Sequence, residues 1–501
     1  MSFKPISLLK LINVVKRTQT SRNLSALKHL KFWKKKGKKS DLENDRGVFN
    51  VTKIRSILDR MIYNDVYDII DSNMSCSNIG ARKNRNIRDH LFVVNGILND
   101  VMHNKNAKPI DIGIYDAEKC FDKLEYVNTA NDLYKAGVQD DRFVLIANSN
   151  KNCNVAVKTP WGSVTERTIL NNIEMQGTVL APLKCFISID TIGKETLENK
   201  HGNSYKYKNC VSIPPLSLID DIITVSECST ESVSMNAYIQ AKIAGKRLKL
   251  GYEKCFQMHV GKQSICCPTL SLSNKEMKKA NKEKYLGNYL SSDSRIDYDI
   301  QQRYNKGVGI VNQIIGLLKE VSFGHYYFEM ALLFRNSMLI NGILCSVDAL
   351  YGITNTHIEQ LEQCDRMLMR KLFSSVSTTA IEAYYFELGM VLPLRFIIIA
   401  KRLMFYWAIL HKGVSELVTK VYEGQKLSPV KNDWFLQIQS DLKYCNIDLS
   451  EEEIRNMKEM KFKTLVKKNI QAVCCKYPEE QKNRLVGEVC HFRKYQYFCK
   501  S

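Results

Sequence analysis

Long apolar runs are missing from this chain. None reaches the ~18 consecutive residues that a membrane-crossing helix needs. The nearest, LRFIIIAKRLMFYWAIL, is broken by Lys401 and Arg402 and reads as a buried helix, so no membrane partner is expected. Proline and glycine are sparse, 10 and 24 in 501 residues. With no internal repeat, low-complexity segment or flexible tether, the domains should pack together. No glycine-rich phosphate loop is present, which argues against P-loop and dinucleotide-binding folds. The 16 cysteines follow no repeating frame. Those of the tail (Cys474, Cys475, Cys490 and Cys499, beside His491) lack C-x2-C spacing and read as ordinary thiols, not as a zinc site. The pattern fits a reducing, intracellular compartment.

Acid is missing from the first forty residues, which hold twelve Lys or Arg and no Asp or Glu before Asp41. A mitochondrial presequence looks like this, and so does a basic arm that touches phosphates. WKKKGKKSDLENDRG runs straight on into what reads as the folded domain, which favours the arm and a nuclear or cytoplasmic location. The whole chain carries a formal charge of +21 on an otherwise globular composition, 45% hydrophobic and 25% charged. So large a basic surplus fits a polyanionic partner, most simply nucleic acid.

Helical spacing runs from Val51 to Ile70, with Ile54, Ile57, Leu58, Met61, Ile62 and Val66 as its apolar face, and HLFVVNGILNDVM reads as a second helix. Ile110, Ile112 and Ile114 alternate as a strand that runs out at Asp116, and a helix follows through Leu124, Val127 and Leu133 to Gly137. VAVKTPWGSVTERTIL reads as a hairpin, and TVLAPLKCFISIDTIGKE as a helix entered through Pro182. SLIDDIITV then sets Asp220 and Asp221 inside an apolar strand–turn–strand, and SVSMNAYIQAKIAGKRL reads as a helix. From about residue 295 the pattern is all-helical. Ile310, Ile314, Leu317, Leu318 and Val321 are expected on one face, and a capping box of Ser450 and Glu453 opens SEEEIRNMKEMKFKTLVKKNI.

Adjacent carboxylates in an apolar setting cost several kcal/mol unless something neutralises them. A plain Asp-Asp hairpin turn would favour a glycine that is not there; a divalent cation is the other answer. Asp116 and the Asp220–Asp221 pair, each at a strand end or turn, form the set that two-metal phosphoryl transfer uses, with two ions about 3.5–4 Å apart.

In these segments the sequence resembles the reverse transcriptases of non-LTR retrotransposons, from about Lys34 to Leu290 and in that family's motif order. YDAEKCFD resembles the first palm motif, LIDDI the x-A-D-D box and EMQGTVLAPL the Q-G motif. LKLGYEKC resembles the L-x-x-N-x-x-K segment, and KYLGNYL the primer grip around Leu286 and Gly287. KKKGKKSDLENDRGVF and IGARKNRNIRDHLF are similar to two fingers stretches. The resemblance implies Asp116 and Asp220 as ligands of two Mg²⁺ (or Mn²⁺) ions, with Asp221 as a supporting carboxylate. It places Lys254 at the departing pyrophosphate and Arg46 on the triphosphate. Gln176 and Gly177 would lie along the nascent base pair, and Phe121 against the sugar, selecting deoxynucleotides. Ile219 stands in place of the family's alanine, Ile173 in place of a glycine and Gly251 in place of an asparagine; none removes a metal ligand.

The implied fold is α+β, a right-hand polymerase with fingers and an antiparallel-sheet palm, followed by a helical thumb. The implied boundaries are a basic arm at 1–33, fingers and palm at 34–290, a thumb-like region at 295–440 and a C-terminal helical extension at 441–501. The implied activity is RNA-directed DNA polymerisation on an RNA template, a DNA primer and deoxynucleoside triphosphates. A catalytically idle, host-retained RNA-binding relative is the alternative. The family's upstream endonuclease and terminal zinc knuckle are not found, as expected of a truncated element, an incomplete gene model or a part retained by the host.

Overall fold

The computed structural model describes residues 27–33, 45–118, 120–148, 153–158, 163–170, 176–198, 204–227, 229–261, 268–321, 323–375, 384, 388 and 391–485. The fold is mixed helix and sheet. Strands β1 (Leu27–Trp33), β2 (Asp45–Asn50), β4 (Cys153–Lys158) and β5 (Thr168–Leu170) form one sheet in the order β2–β1–β4–β5. Residues 27–33, counted with the basic arm in the sequence, are thus a central strand of that sheet.

The second sheet carries the chemistry. It orders β13 (Lys278–Lys279), β10 (Phe256–Val260), β3 (Ile110–Asp116), β9 (Asp221–Ser226) and β8 (Leu216–Leu218), antiparallel throughout except at β10–β13. Among the described residues three two-stranded ribbons complete the strands: β6 (Tyr205–Tyr207) with β7 (Val211–Ile213), β11 (Ser271–Leu272) with β12 (Lys275–Glu276), and β14 (Lys282–Tyr285) with β15 (Asn288–Ser291).

The helices of this half are α1 (Lys53–Asn73), α2 (Ile87–His103), α3 (Cys120–Lys123), α4 (Tyr126–Lys135), α5 (Asp140–Asn148), α6 (Leu180–Leu197) and α7 (Ser229–Gly245). From α8 (Asp297–Glu320) onward the described residues form helices and turns and no strand.

Strand β3 lies at the centre of its sheet, so both of its faces are covered. Ile112 and Ile114, with Ile223 and Val225 of β9, face a core that also takes in α2. Tyr115 and Ile222 face the opposite way, into a cluster with Met235, Ile239 and Ile243 of α7.

Several expected faces are turned. On α1, Ile54 and Ile57 are exposed, and the buried side includes Arg55 and Asp59, which pair at 2.6 Å. Counting only apolar residues missed a charged pair that neutralises itself inside. On α8 the buried line is Val311, Ile314 and Leu318, while Leu317 and Val321 are exposed, a rotation of one position. The capping box at Ser450 and Glu453 forms, but its helix stops at Arg455 and a second begins at Glu459. One helical stretch among the described residues, Gly324–Ala349, is long and apolar enough by length and composition to cross a membrane, although no uninterrupted run exists there. Its Leu339, Ile343 and Leu344 are buried in a helical core, and its Arg335 is buried against Asp365 at 2.6 Å, as in a core helix.

Candidate active site

The alternation of β3 ends at Asp116, and β9 begins at Asp221. Their register sets Asp116 directly opposite Asp221. Opposed residues of an antiparallel pair share a face with Cβ atoms about 4.5–5.5 Å apart, and like charges so placed repel. Because Leu218 pairs with Asp221, the turn between β8 and β9 is Ile219–Asp220, not Asp220–Asp221. The Ala117 amide donates to the Asp220 carbonyl at 3.0 Å, fastening the turn to the chain just beyond Asp116. Ile219 holds φ +58°. The left-handed region costs a side chain with a Cβ roughly 1–2 kcal/mol. The tight turn is therefore made without glycine, at the expense of strain.

Lys254 enters from the 3-10 turn Tyr252–Lys254, beside β3. The amide of Gly251, which precedes this turn, donates to the Asp116 carbonyl at 2.9 Å. The Lys254 ammonium donates to both carboxylate oxygens of Asp116, at 2.9 and 2.7 Å. Burial lowers its pKa, but hydrogen bonding to Asp116 and the charges of Asp116, Asp220 and Asp221 outweigh this and hold it above the usual lysine value. The opposite happens at Asp221. Burial, then the charges of Asp220 and Asp116, push its carboxyl up to about 6 against the pull of Lys254. All three aspartates therefore act on one lysine, and Asp116 and Asp220 both act on Asp221.

Among the described residues no three His, Cys, Asp or Glu side chains converge into a ready metal cage. The place beside Asp116 is taken by the Lys254 ammonium. The donor set still suits a hard divalent cation: the side-chain donors are carboxylate oxygens, and one ammonium leaves them an excess of negative charge.

The other expected residues are distributed around this centre. Phe121, on α3, is half-buried against the Tyr115 and Ile222 cluster. Its neighbour Cys120 meets Cys185 of α6, Sγ to Sγ 3.1 Å, so α3 rests on the helix that follows the Q-G motif. The Gln176 carbonyl accepts from the Phe49 amide of β2 at 2.7 Å. Gly177 holds φ +109°, and a Cβ there would lie 2.6 Å from the Phe49 carbonyl oxygen. The Gln176–Gly177 step is thus seated on β2, the strand that contains Arg46; the Arg46 side chain and Ile173 lie outside the described residues. The described contacts join Asp116, Asp220, Asp221 and Lys254, and do not bring Gln176 or Gly177 to them.

Two residues were not singled out from sequence. Glu118 fills the room left by Gly251, since a Cβ at 251 would lie 3.1 Å from Glu118 Cγ and 3.5 Å from Asp116 Oδ2. Tyr285 of β14 is fully buried, its proton held more tightly by burial and by the charge of Asp221. A histidine within the apolar HLFVV, His90, was the available clue to Tyr285, to which its ring is hydrogen-bonded.

No protein-family model and no curated protein matches the sequence. Among solved structures, the chain is similar to apo telomerase from Candida tropicalis at 11% identity and TM-score 0.42, covering 89% of this chain and 70% of that one. It is similar to the same enzyme truncated of its C-terminal domain at 13% identity and TM-score 0.37, covering 57% of each chain. It is also similar to the insertion-loop deletion mutant of the RNA-dependent RNA polymerase of a human picorbirnavirus, at 11% identity and TM-score 0.38, covering 79% and 64%. The chain thus spans little more than half of the truncated telomerase.

Proposed function

We propose that this chain is an RNA-directed DNA polymerase of the non-LTR retrotransposon type, extending a DNA 3′ end on an RNA template with deoxynucleoside triphosphates. One observation carries the reading. Asp116 and Asp221 face each other at the ends of adjacent antiparallel strands, with Asp220 in the turn between β8 and β9. Asp116, Asp220 and Asp221 would hold two Mg²⁺ or Mn²⁺ ions, which when bound acidify the attacking 3′-hydroxyl and neutralise charge on the leaving pyrophosphate.

The remaining roles belong to side chains. Lys254, already at Asp116, would hand a proton to the departing pyrophosphate oxygen. Phe121 would lie under the sugar and exclude a 2′-hydroxyl. Gln176 and Gly177 would line the nascent base pair, where the bare backbone of glycine allows close approach. Arg46 would pair with triphosphate oxygens, to which a planar guanidinium is matched. The charge of +21 supports template and primer binding.

A catalytically idle RNA-binding relative is the second reading, favoured by the Lys254–Asp116 ion pair where a metal ligand is needed. Primer extension on RNA with Mg²⁺ or Mn²⁺ separates the two. Wild-type protein should extend, and Asp220→Asn should abolish extension with RNA affinity nearly unchanged, because phosphate contacts hold the template and carboxylates do not. Full activity in the variant, or none in the wild type, would sink the polymerase reading.

A further inference from the structure

His90 lies at 1% exposure on α2; it is bonded directly to the β14–β15 hairpin through Tyr285, and it reaches β8 of the carboxylate hairpin through the Ser77 carbonyl. Its Nε2 is 2.9 Å from the Ser77 carbonyl, which can only accept, so Nε2 carries the ring proton. Burial pushes the ring down to about 4, the Ser77 carbonyl opposing, so the imidazole is neutral. Its Nδ1 is then an acceptor, and the Tyr285 hydroxyl, 3.2 Å away, donates to it. The same Ser77 carbonyl accepts from the Ser217 amide at 3.1 Å. Ser217 belongs to β8, two residues before Ile219 and the turn that carries Asp220. The Ser217 carbonyl in turn accepts from the Ile79 amide at 3.4 Å.

Tyr285 pairs with Asn288 at the end of the β14–β15 hairpin, whose turn is Leu286–Gly287, φ +47° and +91°. On its other side the hairpin is held by Arg303 of α8, which donates to Asn288 Oδ1 at 2.8 Å. A neutral imidazole with a fixed tautomer therefore joins the carboxylate hairpin to a second hairpin within electrostatic reach of Asp221.

We propose that His90 is a positioning residue that sets the β14–β15 hairpin in register with the Asp220–Asp221 hairpin, through Tyr285 on one side and the Ser77 carbonyl on the other. Its consequence for rate rests on the polymerase reading; its consequence for the hairpin does not. Three variants test it. His90→Leu removes both bonds. Tyr285→Phe removes only the hydroxyl. His90→Gln keeps a donor for Ser77 and an acceptor for Tyr285.

Amide exchange over residues 285–290 should quicken in His90→Leu and Tyr285→Phe and stay slow in His90→Gln. Single-nucleotide addition at saturating substrate should slow about tenfold or more in the first two, as misplacement of a reacting end does. Hybrid affinity should hold, and the Gln variant should recover most of the rate. The double variant His90→Leu, Tyr285→Phe should be no slower than His90→Leu alone. Exchange in Tyr285→Phe equal to wild type overturns the proposal, as does a Gln variant that loses as much as Leu. A wild-type protein that extends no primer would defeat the polymerase reading instead, and the exchange comparison would still decide the role of His90.

Discussion

The Lys254 ammonium is bonded to Asp116 and feels the charges of Asp220 and Asp221, and the Asp221 carboxyl is pushed up. That carboxyl sits at about 6, raised by burial and by Asp220 and Asp116. An unfolded chain releases that proton near the usual aspartate value, so between about pH 4 and pH 6 the folded protein holds more protons than the unfolded one. Stability from this residue is therefore complete below about pH 4 and is lost as pH rises through about 6. In EDTA at pH 7.5, Asp221→Asn should stabilise the protein by about 1–3 kcal/mol, and the gain should vanish at pH 4. Thermal melts at the two pH values check this, and destabilisation at pH 7.5 would show that attraction, not repulsion, dominates at Asp221. Asp116 and the Asp220–Asp221 pair stood out in the sequence as carboxylates at strand ends and turns, and Lys254 through the resemblance of LKLGYEKC to a family segment; the fold sets Asp116 opposite Asp221 and Lys254 against Asp116. His90 and Tyr285 did not stand out, because the carbonyl that links them to the carboxylate turn belongs to Ser77 and has no side-chain signature.

Between elements, buried ion pairs do the aligning. Arg402, on the helix Leu394–Leu410, and Asp441, on the helix Trp434–Tyr444, form two hydrogen bonds of 2.6 and 2.7 Å with both side chains almost fully buried. Removing one partner strands the other charge. Asp441→Ala should cost about 3–5 kcal/mol, whereas Arg402→Met combined with Asp441→Leu should come close to neutral. Urea denaturation of the single and double variants measures both, and a double variant as unstable as the single would show that packing, not charge, sets the cost. The same physics explains the faces that periodicity misplaced. Arg55 and Asp59 on α1 read as solvent residues one at a time, and only the fold reveals that they satisfy each other. The strands were easier to read: Ile110, Ile112 and Ile114 alternate, and β4 pairs antiparallel with β5 across the stretch that read as a hairpin.

At the scale of the whole molecule, charge predicts behaviour more directly than packing does. With a formal +21, binding to an RNA–DNA hybrid should weaken by two orders of magnitude or more, roughly, between about 50 and 200 mM salt. Deleting residues 1–26, which stops short of strand β1, should flatten the slope of log affinity against log salt, by about one unit for each phosphate those residues neutralise; filter binding across a salt series gives the number. An unchanged slope would remove those residues from the interface. One of the apolar clusters runs across the whole chain. Ile112, Ile114, Ile223 and Val225 of the carboxylate sheet belong to one cluster with Phe405, Trp434, Phe462 and Ile470, and Phe92 of α2 packs edge-on against both Phe405 and Trp434. That continuity bears on how the protein is made. Synthesis runs from the amino end, so the strands bearing Asp116 and Asp221 leave the ribosome long before the aromatic residues that close their apolar side. Until roughly the last helix emerges, the nascent chain must carry that sheet unfinished, and a ribosome stalled before residue 390 should display it to chaperones and proteases as an open face.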